Sequence, residues 1–214
     1  MRDPRDQLID LTLASGVLCF GRFTLKSGRT SPYFFDLSRC ATGRDLVRLA
    51  GLYARALCAA DIGFDMLFGP AYKGIPLAAA VAIALAAEQR RDVPFCFNRK
   101  EAKDHGEGGL TFGAPLRGRV VIVDDVVSAG TSINASVEII RETGAEPVAC
   151  IVALDRRERG AGDRSAAEEV RQRQGITVVS IATLDDVIAH LASDPARAAD
   201  LDAMRAYRAV YGAS

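Results

Sequence analysis

The chain has 214 residues, 49% of them apolar and 25% charged, with 27 Lys and Arg balancing 27 Asp and Glu to a formal net charge of zero. That length suits one globular domain, and the composition excludes disorder and collagen-like repetition. With no net field the chain has no general hold on nucleic acid or an anionic membrane, so any anion site must come from local clustering.

In chain order, Arg5 to Ala14 reads as a short helix, followed by extended pieces at Phe23 to Leu25 and Tyr33 to Phe35 around the turn-forming Lys26-Ser27-Gly28-Arg29. Residues 1–40 are expected to form a small N-terminal hood over a larger sheet. The charges at Arg2, Asp3, Arg5, Asp6 and Asp10 do not suit a signal peptide. Leu46, Leu49, Ala50, Tyr53 and Leu57 then recur at helical spacing, with Arg44, Arg48 and Arg55 on another face. Met66 to Phe68, Pro94 to Phe97, Val120 to Val123, Val148 to Leu154 and Ile176 to Ile181 are short apolar runs that suit strands buried on both faces. The longest apolar run, Ile75 to Ala87, has thirteen residues and contains Pro76. That falls short of the about 18 residues a membrane span needs.

From Asn98 to about Gly118 no period is visible. A loop of that length is a functional lid or a solvated charged loop, and the run Asn98 to His105, followed by Gly106, Gly108 and Gly109, favours a mobile lid. Ile133, Val137 and Ile140 mark a helix after the third run. Leu184 to Leu191 and Ala196 to Tyr211 read as helices, with Pro195 opening the second and Gly212 closing it. Strands and helices in alternation imply right-handed βαβ units, hence a single α/β domain over 1–214 with a mostly parallel central sheet flanked by helices. The five cysteines, Cys19, Cys40, Cys58, Cys96 and Cys150, are widely spaced without a C-x-x-C, which suits free thiols in a reducing cytoplasm.

The strongest chemical signal runs from Val120 to Ser132: a buried strand, the acids Asp124 and Asp125, a small-residue loop and a helix. Ligands of open α/β sheets bind outside the carboxyl ends of strands, where this loop must lie. Ser128 to Ser132 can turn backbone N–H groups and three hydroxyls toward one point at a helix N-terminus, a seat for phosphate. Two carboxylates beside an anion repel it unless the ligand brings hydroxyl donors or a divalent cation, so the arrangement points to a phosphorylated sugar with metal. By themselves the two acids suit a helix cap or turn equally well.

Val120 to Ser132 resembles the phosphoribosyl diphosphate signature of type I phosphoribosyltransferases. Phe23 to Gly28, Ser31 to Phe35, Phe68 to Pro76, Phe97 to Gly109 and Leu154 to Gly160 are similar, in the same order, to the bacterial orotate phosphoribosyltransferase branch of that family. The resemblance covers nearly the whole chain. It implies a type I phosphoribosyltransferase-like fold and transfer of ribosyl 5-phosphate from phosphoribosyl diphosphate to orotate, giving orotidine 5'-phosphate and diphosphate in UMP synthesis. It also implies Mg²⁺ held mainly by the substrate, with no direct protein ligand and with Asp124 and Asp125 nearby, and a cytoplasmic homodimer whose loop residues are shared between subunits. Neither nucleic acid nor membrane is an expected partner.

Carried over residue by residue, the resemblance places Asp124 and Asp125 at the ribose and wraps Val126, Val127, Ser128, Ala129, Gly130, Thr131 and Ser132 around the 5-phosphate. Around the diphosphate it sets Lys73, Arg99, Lys103 and His105, Tyr72 through its backbone, and Lys100 from a second subunit; Lys26 is expected to touch both substrates. Lys103, His105, Asp124 and Asp125 form the implied catalytic set. Lys26, Phe34, Phe35, Ser128 and Arg156 are the implied orotate contacts, with the two phenylalanines contributing largely through backbone. Ser128 keeps a hydroxyl where related enzymes often carry threonine. Without the resemblance, Lys73 reads as a turn lysine, His105 as a solvated histidine, Phe34 and Phe35 as core, and Arg156 as one charge in a surface run. Two other functions remain open on the residues alone: a non-catalytic regulator that binds the diphosphate, and transfer to a purine or uracil.

Overall fold

A computed structural model of the chain describes residues 2–25, 28–103, 109–127, 130–160 and 162–213, apart from the side chains of 100–103 and 109. The elements are α1 (Pro4–Ala14), β1 (Leu18–Thr24), β2 (Thr30–Phe35), α2 (Gly43–Ala59), β3 (Met66–Gly69), α3 (Gly74–Gln89), β4 (Phe95–Lys103) and β5 (Gly109–Gly113). They continue with β6 (Arg119–Val123), β7 (Val126–Val127), α4 (Thr131–Glu142), β8 (Glu146–Asp155), α5 (Ala166–Gln174), β9 (Thr177–Thr183), α6 (Leu184–Leu191) and α7 (Ala198–Tyr211).

The main sheet has the order β5-β4-β3-β6-β8-β9, and β7 also pairs with β8. All its neighbours are parallel except β4 and β5. Alternate residues of β6 face opposite layers, as a pleated strand requires. Val121 and Val123 join Leu67, Ile151 and residues of α1, α2 and α3 in one core, while Val120 and Ile122 join Phe68, Val152, Ile133 and Val137 in the other. Helices therefore cover both faces, which explains why the central strands read as unbroken apolar runs. Full burial of each aliphatic side chain contributes about 1.5–3 kcal/mol, enough in sum to fix where β6 ends and what emerges from it.

The hood is an antiparallel pair, β1 with β2, in the register Leu18↔Phe35 and Thr24↔Thr30, with an irregularity between Phe20 and Phe23. Its second strand packs on α7, where Tyr33 and Tyr207 meet edge to face at 5.9 Å. The chain's final helix thus completes the hood. Helix α1 packs against β1 of the hood and also against α2, β9 and α6.

Within the segment from Asn98 to about Gly118, expected to be an aperiodic loop, β4 instead extends to Lys103 and β5 runs antiparallel to it, pairing Cys96↔Gly113, Phe97↔Phe112 and Asn98↔Thr111, while residues 104–108 lie outside the described residues. An edge hairpin with little buried face has no need of alternating apolar residues, so its backbone pairing leaves no period to read.

Candidate active site

The acid pair stands where the line of β6 is interrupted. β6 pairs with the first part of β8, through Val123↔Ile151, and β7 resumes against Leu154 and Asp155. The ladder crosses the gap: Asp124 donates its N–H to Ile151 O at 3.0 Å, and Asp125 O accepts from Ala153 N–H at 3.0 Å. Sheet hydrogen bonds therefore hold the backbone of both acids, which are only 7% and 8% exposed. From α2, the buried Tyr53 hydroxyl donates to Asp124 O at 2.8 Å.

Each carboxylate has its own partners. Asp124 accepts from Asp125 N–H through Oδ1 and from the Ser132 hydroxyl through Oδ2, both at 2.9 Å. Asp125 accepts from Val126 N–H at 2.9 Å and from Lys73 Nζ at 2.7 Å. Burial, and then the charge of Asp125, pushes the Asp124 carboxyl up to about 6 against the lowering effect of its hydrogen bonds. For Lys73, desolvation is opposed and overcome by its hydrogen bonds and attraction to Asp125 and Asp36, leaving its ammonium pKa raised.

Beyond the acids, Gly130 takes a left-handed conformation, φ 69°, and begins α4 without a side-chain cap. Thr131 and Ser132 are exposed at that helix start. Open first-turn N–H groups and the helix dipole make an anion seat. Among the described residues of the expected phosphate wrap, Val126 N–H donates to Asp125 and the Val127 side chain lies in the core. Ser128 and Ala129 lie outside the described residues.

Lys73 comes from the turn between β3 and α3, which contains a cis Ala71–Tyr72 peptide. A Cβ on Gly74 would stand 2.9 Å from Val123 O and from Gly69 C, so a close backbone approach presses this turn against the end of β6. The turn is also tied to β4, because Ala71 N–H donates to Asn98 Oδ1 at 2.7 Å. Tyr72 is exposed. Lys73 Nζ reaches Asp36 at 3.1 Å as well as Asp125, bridging the hood and the sheet.

Arg99 lies on β4 with its guanidinium 5.1 Å from the Phe112 ring, and its Nη1 is buried without a hydrogen-bond partner. A buried donor in that condition costs about 1–3 kcal/mol until an acceptor arrives, which suits an anionic ligand. The side chains of Lys100 and Lys103, and all of His105 and Lys26, lie outside the described residues.

At the end of β8, Arg156 is 8% exposed and its guanidinium lies 4.3 Å from the Tyr33 ring centroid. It is a buried cation held under the hood, not one charge of a surface run. Phe35 is 7% exposed within the core, whereas Phe34 stacks on Phe23 at 5.5 Å. Sequence reasoning missed Asp36, Tyr53 and Asn98 as site-supporting residues, and also Glu158, which pairs with Arg156, and Tyr207, whose hydroxyl donates to Glu158. Nothing in their spacing signals these contacts, most of which join segments far apart in the chain.

Among the described residues no three His, Cys, Asp or Glu groups are placed to hold a metal. The carboxylate oxygens of Asp124 and Asp125 are already engaged by N–H groups, Ser132 and Lys73. This donor set suits a divalent cation carried in on a ligand rather than caged by protein. The cysteines are free thiols, and burial pushes Cys96 up to about 12 and Cys40 up to about 11, which makes those two poor nucleophiles. His190 pairs with Asp6 at 3.0 Å and Asp10 at 3.3 Å, tying α6 to α1. A cavity of about 550 Å³ lies apart from this chemistry, between α1, α2 and α3, where Arg2 pairs with Asp10 and Arg55 with Glu88. No helix among the described residues is long and apolar enough to cross a membrane.

Residues 44–186 match the family model of the phosphoribosyl transferase domain. A curated orotate phosphoribosyltransferase from Thioalkalivibrio sulfidiphilus is 56% identical over 212 residues, covering 99% of this chain and 100% of the relative. The crystal structure of orotate phosphoribosyltransferase from Francisella tularensis matches with a TM-score of 0.85 and 36% identity, covering 96% of this chain and 98% of that one. The Mycobacterium tuberculosis enzyme in complex with 5-phospho-alpha-D-ribosyl 1-diphosphate matches with a TM-score of 0.64 and 25% identity, covering 86% of this chain and 98% of that one. An acid pair at the broken strand, an uncapped helix start beside it and a basic turn facing both thus occur in a chain that belongs to the phosphoribosyltransferase family, on its bacterial orotate phosphoribosyltransferase branch.

Proposed function

We infer that the protein transfers the phosphoribosyl group of phosphoribosyl diphosphate to orotate, a step of pyrimidine nucleotide synthesis. The bond from ribose C1 to the diphosphate oxygen breaks, a bond from C1 to a ring nitrogen of orotate forms, and the proton of that nitrogen is released to solvent as diphosphate leaves. The observation that carries this reading is the Asp124–Asp125 pair fixed beside the open N-terminus of α4, with Lys73 2.7 Å away.

The transition state gathers positive charge on the ribose and negative charge on the leaving diphosphate, so catalysis needs fixed charges of both signs. Asp124 and Asp125 meet the ribose hydroxyls and stabilise the cationic sugar. Gly130, Thr131 and Ser132, with Ser128 and Ala129, receive the 5-phosphate. Lys73, Arg99, Lys103, His105 and the Tyr72 backbone neutralise the diphosphate, joined by Lys100 of a partner subunit in a homodimer. Lys26, Arg156, Ser128 and the hood backbone at Phe34 and Phe35 receive orotate. Mg²⁺, brought by the diphosphate, supplies further charge neutralisation. Free thiols throughout suit a cytoplasmic setting.

The test is a mixture of protein, orotate, phosphoribosyl diphosphate and Mg²⁺, followed by the loss of orotate absorbance. Turnover that stops on chelation and returns with added Mg²⁺ is expected, and uracil or a purine in place of orotate should give none. Absence of orotate loss while a control enzyme is active would overturn the reading.

A further inference from the structure

The Arg156 guanidinium is committed along one edge. Its Nε donates to Glu158 Oε1 at 2.7 Å, and its Nη2 lies 2.7 Å from the same oxygen. That oxygen also accepts from the Tyr207 hydroxyl at 2.9 Å and, at 3.4 Å, from the Tyr33 hydroxyl. The Tyr33 ring supports the guanidinium from one side at 4.3 Å. A guanidinium can present a paired-donor edge through Nε and Nη2 or through its two terminal nitrogens. With the first edge closed by Glu158, and Nη2 also donating a long 3.4 Å hydrogen bond to the Ser31 hydroxyl, the terminal edge led by Nη1 is the one left for a ligand.

The carboxylate is itself positioned by the end of the chain. Tyr207 belongs to α7, and the residues that follow return to this segment: Arg159 N–H donates to Tyr211 O, and Ala213 N–H to Arg157 O, both at 2.8 Å. A long, flexible arginine side chain loses rotamer freedom when it binds, and prior locking from two sides removes that cost from the ligand.

We propose that Glu158 and Tyr207 are positioning residues for the base pocket, holding Arg156 so that its terminal edge meets the anionic base and thereby setting selectivity for an acidic pyrimidine. The proposal rests on the functional reading above, in which Arg156 receives orotate. It adds two residues that do not themselves touch the substrate, one of them supplied by the C-terminal helix.

Tyr207→Phe deletes one hydroxyl and keeps the ring against Tyr33, while Glu158→Gln removes the charge that pairs with Arg156. The measurements are KM for orotate, KM for phosphoribosyl diphosphate, kcat and the thermal midpoint of each purified variant, with Arg156→Lys as reference. Tyr207→Phe is expected to raise the KM for orotate about 3- to 10-fold, and Glu158→Gln about 10- to 50-fold, the range for losing one hydrogen bond and one charged pair. KM for phosphoribosyl diphosphate and kcat should stay within about twofold, since neither residue contacts that end of the site. An unchanged KM for orotate in both variants, with Arg156→Lys raising it, overturns the positioning role alone. An unchanged KM in Arg156→Lys overturns the assignment of Arg156 to the base. Parallel loss of all kinetic parameters with a lowered midpoint in Tyr207→Phe would make its role merely structural and also overturn the proposal.

Discussion

At Asp124, fold stability and chemistry pull in opposite directions. Its carboxyl is raised from 3.8 to about 6, first by burial and then by the neighbouring Asp125. Between about pH 4 and 6 the native state therefore keeps a proton that the unfolded chain has released, and stability falls as pH rises through that window. Above it the ionised carboxylate is a cost carried by the fold, and the negative charge beside the ribose is what catalysis uses. Asp124→Asn should keep an acceptor for Asp125 N–H and offer an amide to Ser132 Oγ while removing the charge. The variant is expected to be more stable than the parent at pH 8 by about 1–3 kcal/mol, with the gain shrinking toward pH 4. Turnover should drop about tenfold or more. Urea midpoints at the two pH values check the first part; a gain equal at both would show that ionisation of Asp124 is not its source.

Between residue and fold, the turn before α3 shows how elements place a cation. Gly74 lies so near β6 that an added Cβ would meet Pro70 Cδ at 2.5 Å and Val123 O at 2.9 Å. Since backbone atoms must move to admit it, Gly74→Ala should shift Lys73 away from Asp125, at a stability cost of about 1–3 kcal/mol. Its KM for phosphoribosyl diphosphate is expected to rise about tenfold or more, with a smaller change in KM for orotate. A folded variant with unchanged KM for phosphoribosyl diphosphate would detach the turn from diphosphate binding. Elements buried on two faces were legible in the sequence because burial writes itself as apolar residues: Val120 to Val123 and the acids after them appear as expected. In α3 the helix is hidden because a nearly all-apolar run has no polar face to mark a period, although Ile83 stands exposed. β5 was invisible for the opposite reason, being an edge strand whose Leu110 and Phe112 remain 43% and 47% exposed. Pairings such as Lys73 with Asp36 and Glu158 with Tyr207 depend on how the hood and α7 return over the sheet, which no local pattern encodes. The roles of Lys26, Lys100, Lys103 and His105 rest on resemblance and chemistry rather than on their placement.

At the scale of the whole molecule, the proposed contribution of Lys100 to a second subunit's site can be tested by counting. In a two-fold symmetric dimer each site takes Asp125 from one chain and Lys100 from the other. A dimer of two Lys100→Ala chains has no complete site, and neither has a dimer of two Asp125→Asn chains. A mixed dimer has one site lacking both groups and one site with both intact. Random reassociation of equal amounts makes about half of the dimers mixed, so about one quarter of the parent activity should reappear after mixing two nearly inactive variants. The measurement is turnover before and after subunit exchange, with molecular mass followed by light scattering. If both side chains act within one subunit, every chain in the mixture remains defective and mixing restores nothing. If the parent protein is fully active as a monomer, the shared site is excluded whatever the variants do. Recovery near one quarter, reached only at concentrations where dimers exchange, identifies the dimer as the catalytic unit and Lys100 as the cation that crosses between its halves.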